Sequence, residues 1–217
     1  EFLDNLFVCN PVSGRINRDK LKAFGSTYHC VEQPDLVSYD GNFFRPVDCV
    51  VGPDGALYIA DFCNPVIGHY EAPLDHPDRD RNHGRVWRII YRGPNGELPP
   101  PESPPDMTKL NPRQLVDWLA HPNLQVRTLA TNYLVDAHAS DAPAIAKQAL
   151  AESKDARVRA HCLWILERLG NLDDATLDKH AEDDDRLVRV HATRILAERE
   201  KWSDLNLHSA RLNLFDG

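Results

Sequence analysis

The chain has 217 residues, 42% of them hydrophobic and 27% charged, and a formal net charge of -8 at pH 7. That length and balance suit one or two folded domains with a real core. The acidic excess argues against nucleic acid as a default partner, because phosphate binding needs a basic face, and no apolar run approaches the length of a membrane span.

The opening residues, EFLDNLFVCN, already read as turn and strand, so the chain is expected to begin inside a fold, and the lack of a signal peptide says little about location. NLFVCN (Asn5–Asn10) is a short apolar run closed by PVSG; RINRDKLKAF and STYHCVEQ follow it, and the three are expected to form a meander of strands. PVDCVVG (Pro46–Gly52) and ALYIADF (Ala56–Phe62) flank the turn tripeptide Pro53-Asp54-Gly55, and GRVWRIIYRG (Gly84–Gly93) is a later strand rich in β-branched and aromatic residues. Strand, tight turn, strand, long loop, strand is the order of the first three strands of a propeller blade, and the meander fits the last three of the blade before it. A partial β-propeller, its last one to two blades, is therefore expected over residues 1–98. A closed propeller needs at least about four blades, so the remainder is expected outside these residues.

Residues 99–111 lie in a stretch rich in proline and glycine and read as a linker. Beyond it the apolar spacing becomes helical. LQVRTLATNYL, ARVRAHCLWIL and RLVRVHATRIL align, with Val126-Arg127, Val158-Arg159 and Val188-Arg189 separated by 32 and 30 residues. A period of that size marks a helical solenoid. Val158, Cys162, Ile165 and Leu169 fall on one helical face, and Ala130, Cys162 and Ala192 are small residues that allow close helix approach. Each long helix is preceded by a shorter one, at Pro112–Ala120, Ala142–Ala151 and Ala175–Glu182. Three HEAT-like helical repeats are expected over 112–199, with 200–217 a tail or the start of a further repeat. The fold class expected is thus mixed β then α: a partial propeller followed by a HEAT-like α-solenoid.

The five cysteines, Cys9, Cys30, Cys49, Cys63 and Cys162, include no CxxC or CxxCH pattern, so neither zinc nor covalent haem has its usual site on this chain. Buried free thiols are the simpler expectation, with a disulfide among the four of the β-rich half left open. The loop DFCNPVIGHYEAPLDHPDRDRNHGR holds Asp61, His69, Glu71, Asp75, His76, Asp78, Asp80 and His83, yet the spacing matches no metal site, and a solvated loop is the reading taken. In a blade, Arg45 before one strand, Asp61 closing the next and Arg85 opening a third would meet at one mouth of the channel. Arg45, Asp61, His69 and Arg85 are accordingly the ligand-binding candidates, with an arginine suited to a carboxylate or other oxyanion. A structural pairing of Arg45 with Asp61 stands beside that reading. The catalytic residues are left unknown. The recurrent Arg127, Arg159 and Arg189 are expected to form a ladder of hydrogen bonds between neighbouring repeats rather than a reactive site.

NLFVCNPVSGRINRDKL, FFRPVDCVVGPDGALYIADF, VIGHYEAP and HGRVWRI, followed by the helical repeats, resemble the PVC-type haem-binding proteins, or membrane-bound dehydrogenases, of planctomycetes and verrucomicrobia. The resemblance covers residues 1–98 by motif and 106–199 by architecture. It implies a propeller related to those of sugar dehydrogenases, a HEAT-like scaffold, a C-terminal c-type cytochrome and export to the periplasm. Haem c, and pyrroloquinoline quinone as in related propellers, would then belong to the full-length protein and not to this chain. Its partners would be the missing blades and the cytochrome domain, with a protein partner on the repeat surface. The chain departs from the family where Cys63-Asn64-Pro65 and IGHYE replace Tyr-Arg and Ile-Glu-His-Pro, leaving His69 in place and Glu71 displaced. The function implied is part of an exported, cytochrome-linked dehydrogenase of sugars or alcohols; the alternative is a non-catalytic interaction or ligand-binding scaffold.

Overall fold

A computed structural model of the chain describes residues 5–25, 27–41, 43–68, 72–100, 102–204 and 206. The chain divides into two compact units, Glu1–Ser103 and Pro104–Gly217.

In the first unit β1 (Asn5–Asn10), β2 (Arg15–Phe24) and β3 (Thr27–Ser38) form one antiparallel sheet in the order β1-β2-β3. β4 (Pro46–Val51), β5 (Leu57–Asp61) and β6 (Arg85–Ile89) form a second, in the order β4-β5-β6. The expected partial propeller is overturned. The described strands make two small three-stranded sheets without propeller closure, and six helices follow; only the β-then-α order of the expectation stands. The hairpin pattern was legible because turn chemistry and strand alternation are local, whereas strand number per sheet and closure are set by contacts between distant segments.

β3 runs five residues beyond its expected end at Gln33. Pro34 falls where the β2–β3 register shifts between Ile16↔Val37 and Arg18↔Gln33, a place where a missing N–H is tolerated. Gly14 joins β1 to β2 at φ +66°, and a Cβ there would stand 3.1 Å from the Tyr39 carbonyl oxygen and 3.2 Å from that of Phe44, so only glycine fits. The core between the sheets is small: Ile16, Phe44 and Ile59 are buried, with Phe7, Cys9, Leu36, Val37, Cys49 and Leu57 packed around them. Val47, Val50 and Val86 remain well exposed.

In the second unit α1 (Pro112–Asp117) runs on into a 3-10 turn at Trp118–Ala120, and α2 (Leu124–Ala137), α3 (Ala142–Glu152), α4 (Ala156–Arg168), α5 (Asp174–Ala181) and α6 (Arg186–Glu198) follow. The starts are chemically marked. Asn111 and Gln114 close a capping box, and the side chains of Asn123, Asp155, Asp173 and Asp185 each accept a backbone N–H of the first turn. The recurrent Ala130, Cys162 and Ala192 are wholly buried, as are Ile165 and Ile195 one turn on.

The recurrent arginines share a bond other than the one expected of them. Arg127, Arg159 and Arg189 each donate from Nη1 to the carbonyl six residues back, at His121, Ser153 and Asp183, so each ties the loop before its own helix. Two also bond to the next long helix or the loop before it. Arg159 clasps the Asp183 carboxylate through Nε (3.1 Å) and Nη2 (2.8 Å), and Arg127 Nε donates to His161 Nε2 at 3.2 Å. That last bond fixes the tautomer: Nδ1 carries the proton and donates to Thr131 Oγ1, whose own hydroxyl donates to the Arg127 carbonyl.

His161 is thus held neutral, and burial first, then Arg127 and His191, push its pKa down to about 4. In the unfolded chain it titrates near ~6.5. Between those values the unfolded state takes up a proton that the folded state refuses, so stability is full above about 6.5 and falls as pH drops toward 4, by on the order of 2–3 kcal/mol. The capping and paired carboxylates Asp155, Asp173 and Asp183 are held below their ordinary range and lose their contribution only below about pH 4. The helical melt followed at 222 nm is therefore expected to move to lower temperature between pH 7.5 and 4.5, and His161→Gln is expected to flatten that dependence.

Candidate functional site

β5 carries a buried carboxylate just inside one end and another just before the other. Asp54, in the turn before β5, caps the Ala56 N–H through Oδ1 (3.1 Å), and its Oδ2 accepts from Tyr58 Oη (3.0 Å) and Arg88 Nε (2.8 Å). The Pro53-Asp54-Gly55 turn is therefore also an anchor for β6, with Gly55 at φ +77° closing it. Burial raises the Asp54 pKa, but the Arg88, Ala56 and Tyr58 hydrogen bonds outweigh it and hold the carboxyl below its usual range.

Asp61, at the far end, is more fully engaged. Its Oδ1 accepts the backbone N–H groups of Arg45 and Cys63, both at 2.8 Å. Its Oδ2 accepts from Arg85 Nε at 2.9 Å and from Trp87 Nε1 at 2.8 Å. Burial alone would raise its pKa; the Trp87, Arg45 and Cys63 hydrogen bonds and the Arg85 charge win, and it stays ionised well into acid. Cys63 takes a left-handed conformation, φ 50°, rare outside glycine, in the turn from which its N–H reaches Asp61.

Three of the four candidates thus come together, in roles of different kinds. The Arg45 guanidinium does not touch Asp61; it is buried and donates to the carbonyls of Pro11 (2.8 Å), Val12 (2.9 Å), Asn64 (3.0 Å) and Pro65 (3.4 Å). Only its backbone N–H meets the carboxylate. Arg85 pairs with Asp61 and also donates from Nη2 to the Phe43 carbonyl at 2.9 Å. His69 lies outside the described residues, as does Glu71. The following loop is fastened by its own polar groups: buried Asn64 donates to the Asp80 carbonyl, and Arg79 Nη2 donates to those of Gly68, Ala72 and Pro73. Among the described residues no three His, Cys, Asp or Glu side chains are placed to share a metal ion.

Beside this cluster the two sheets leave a cleft of about 280 Å³, lined by Val37, Tyr39, Phe44, Ile59, Trp87 and Ile89, with Ser38 and Arg85 as its polar members. The Arg85 guanidinium stands 5.1 Å from the centre of the Trp87 ring, and its Nη1 makes no bond among the described residues. The walls are apolar and aromatic, and one guanidinium supplies a directed donor. Sequence reasoning found Arg85 but missed Trp87 and the cleft. The signal it could have used is alternation in RVWRI, which puts Arg85, Trp87 and Ile89 on one face of β6.

Residues 1–93 match a family described as a domain of unknown function, DUF7133. The matched stretch takes in both sheets and ends four residues beyond β6. No curated protein and no solved structure is significantly similar to the chain. Among the described residues no helix is long and apolar enough to cross a membrane.

Proposed function

We propose that the chain is a non-catalytic ligand-binding scaffold, and that its binding element is the cleft between the sheets, which takes a flat apolar or aromatic molecule bearing an acceptor group. One observation carries this reading. The polar groups of the candidate cluster are spent on the protein's own donors and carbonyls, while Tyr39, Phe44, Trp87 and Ile89 line an open cleft with Arg85 at hand. Reactive chemistry needs a group whose lone pair or proton is available to substrate; Asp61 has four donors on its two oxygens and is held ionised.

The resemblance to PVC-type haem-binding proteins adds a proposed setting: an exported, cytochrome-linked oxidoreductase in which this chain binds and spaces. The donor sets here do not fit that protein's redox groups. No cysteine has the CxxCH spacing for covalent haem. The Arg45 guanidinium, the donor that could meet the carboxylates and quinone oxygens of pyrroloquinoline quinone, is already bonded to backbone carbonyls. Any such group is proposed to sit on other parts of the longer protein.

The test is a titration with 8-anilinonaphthalene-1-sulfonate, an aromatic molecule with acceptor oxygens. Saturable binding at one site per chain is expected. Ile89→Glu, which sets a carboxylate in the cleft, should weaken it at least about tenfold, the cost of burying one unpaired charge being well over a kcal/mol. Val86→Glu, on the opposite face of the same strand, should leave it unchanged. Equal affinity in Ile89→Glu, or several weak sites, would rule the cleft out.

A further inference from the structure

The cysteines of the first unit are not scattered. Cys9 on β1 is the register partner of Ile16, and Cys49 on β4 is the register partner of Ile59. Directly opposed residues share a face, and Ile16 and Ile59 are buried together with Phe44, so both cysteines stand on inward faces and pack against that cluster. β1 and β4 lie against each other, so the two inward-facing cysteines meet at the same small core. The other cysteines are placed differently. Cys30 is exposed on β3 opposite Leu21, buried Cys63 sits in the turn fixed by Asp61, and buried Cys162 belongs to α4.

We propose that Cys9 and Cys49 are a redox-active pair that closes into a disulfide between the two sheets under oxidising conditions. The chemistry is thiol–disulfide exchange with a small disulfide, RSSR, as oxidant. Burial first, then Cys49 itself, push the Cys9 thiol up to about 12, so Cys9 is the poorer nucleophile at neutral pH. Cys49 loses its proton and attacks RSSR, forming Cys49–S–SR and releasing RS⁻. Cys9 then gives up its proton and attacks the Cys49 sulfur, releasing a second RS⁻. Two thiols are oxidised to one disulfide, RSSR is reduced to two RSH, and the protons lost by the cysteines end on the released thiols. The bond would join strands of two sheets whose shared core has only three fully packed side chains, where a cross-link has most to add.

The experiment uses the full chain, reduced, then incubated with oxidised glutathione, alkylated and mapped by mass spectrometry. The expected result is a dominant Cys9–Cys49 linked peptide, two of the five thiols lost to alkylation, reversal by dithiothreitol, and a melting midpoint of the first unit raised by on the order of 10 °C. Cys30→Ser should keep the link, while Cys9→Ala and Cys49→Ala should each abolish it. The proposal is overturned if all five thiols remain alkylatable, if Cys30 or Cys63 forms the main linkage, or if Cys49 stops at the mixed disulfide with glutathione.

Discussion

Asp61→Ala is expected to unfold the first unit locally, at a cost of about 3–5 kcal/mol, the range for removing one partner from a buried charged network. The carboxylate is wholly buried, and its loss strands four donors at once: two backbone N–H groups, the Arg85 guanidinium and the Trp87 indole. Asp61→Asn should recover little, because its amide NH2 would face the Arg85 and Trp87 donors. Asp35, whose pair with Arg15 is partly exposed, is the control, and Asp35→Ala should cost under about 1 kcal/mol. Hydrogen exchange of β5 and β6 peptides reads the difference directly. Native-like protection in Asp61→Ala would mean that the cluster is not the lock of this unit.

The second large effect is expected at Arg159. Its two bonds to Asp183 join α4 to the loop before α6, and its bond to the Ser153 carbonyl holds the entry to its own helix. Both side chains of the pair are mostly buried, at 15% and 13% exposure. Arg159→Ala leaves the Asp183 carboxylate with the Asp185 N–H as its remaining donor among the described residues, and about 2–4 kcal/mol should be lost. The loss should appear as early exchange of α5 and α6 while α2 and α3 stay protected. Arg157→Ala removes an ion pair of the same chemistry with Asp155, but at 39% and 30% exposure it should cost no more than about 1 kcal/mol. Equal effects of the two would show that the recurrent position has no special part in coupling neighbouring helices.

These two residues also show how far the sequence could be read. The Val-Arg period singled out Arg159 without any coordinates, because a repeated helix pair repeats its contacts. It did not reveal that the arginine first ties its own loop, since a side-chain bond to a carbonyl six residues back leaves no mark in composition. The order of strands and helices was legible from turn residues, caps and apolar spacing. The propeller was not sound, because three strands with a blade's turn signals are locally the same whether or not a blade closes around them. At the site, Arg45, Asp61 and Arg85 meet, but the partner of the Arg45 guanidinium was not foreseeable. Its guanidinium goes to the carbonyls of Pro11, Val12, Asn64 and Pro65, groups that every residue carries and that no pattern distinguishes. Trp87 was hidden for a similar reason: its ring lines the cleft while its N–H belongs to the Asp61 lock.

That double position gives the most direct measurement. The Trp87 indole N–H can be followed by NMR while 8-anilinonaphthalene-1-sulfonate is added to the native chain. If the cluster is a structural lock and the cleft is the binding element, the Trp87 ring signals should shift as the ligand saturates, while its N–H stays slow to exchange because its bond to Asp61 persists. Loss of that protection on binding, or ring signals that do not move at all, would contradict the assignment of lock and cleft.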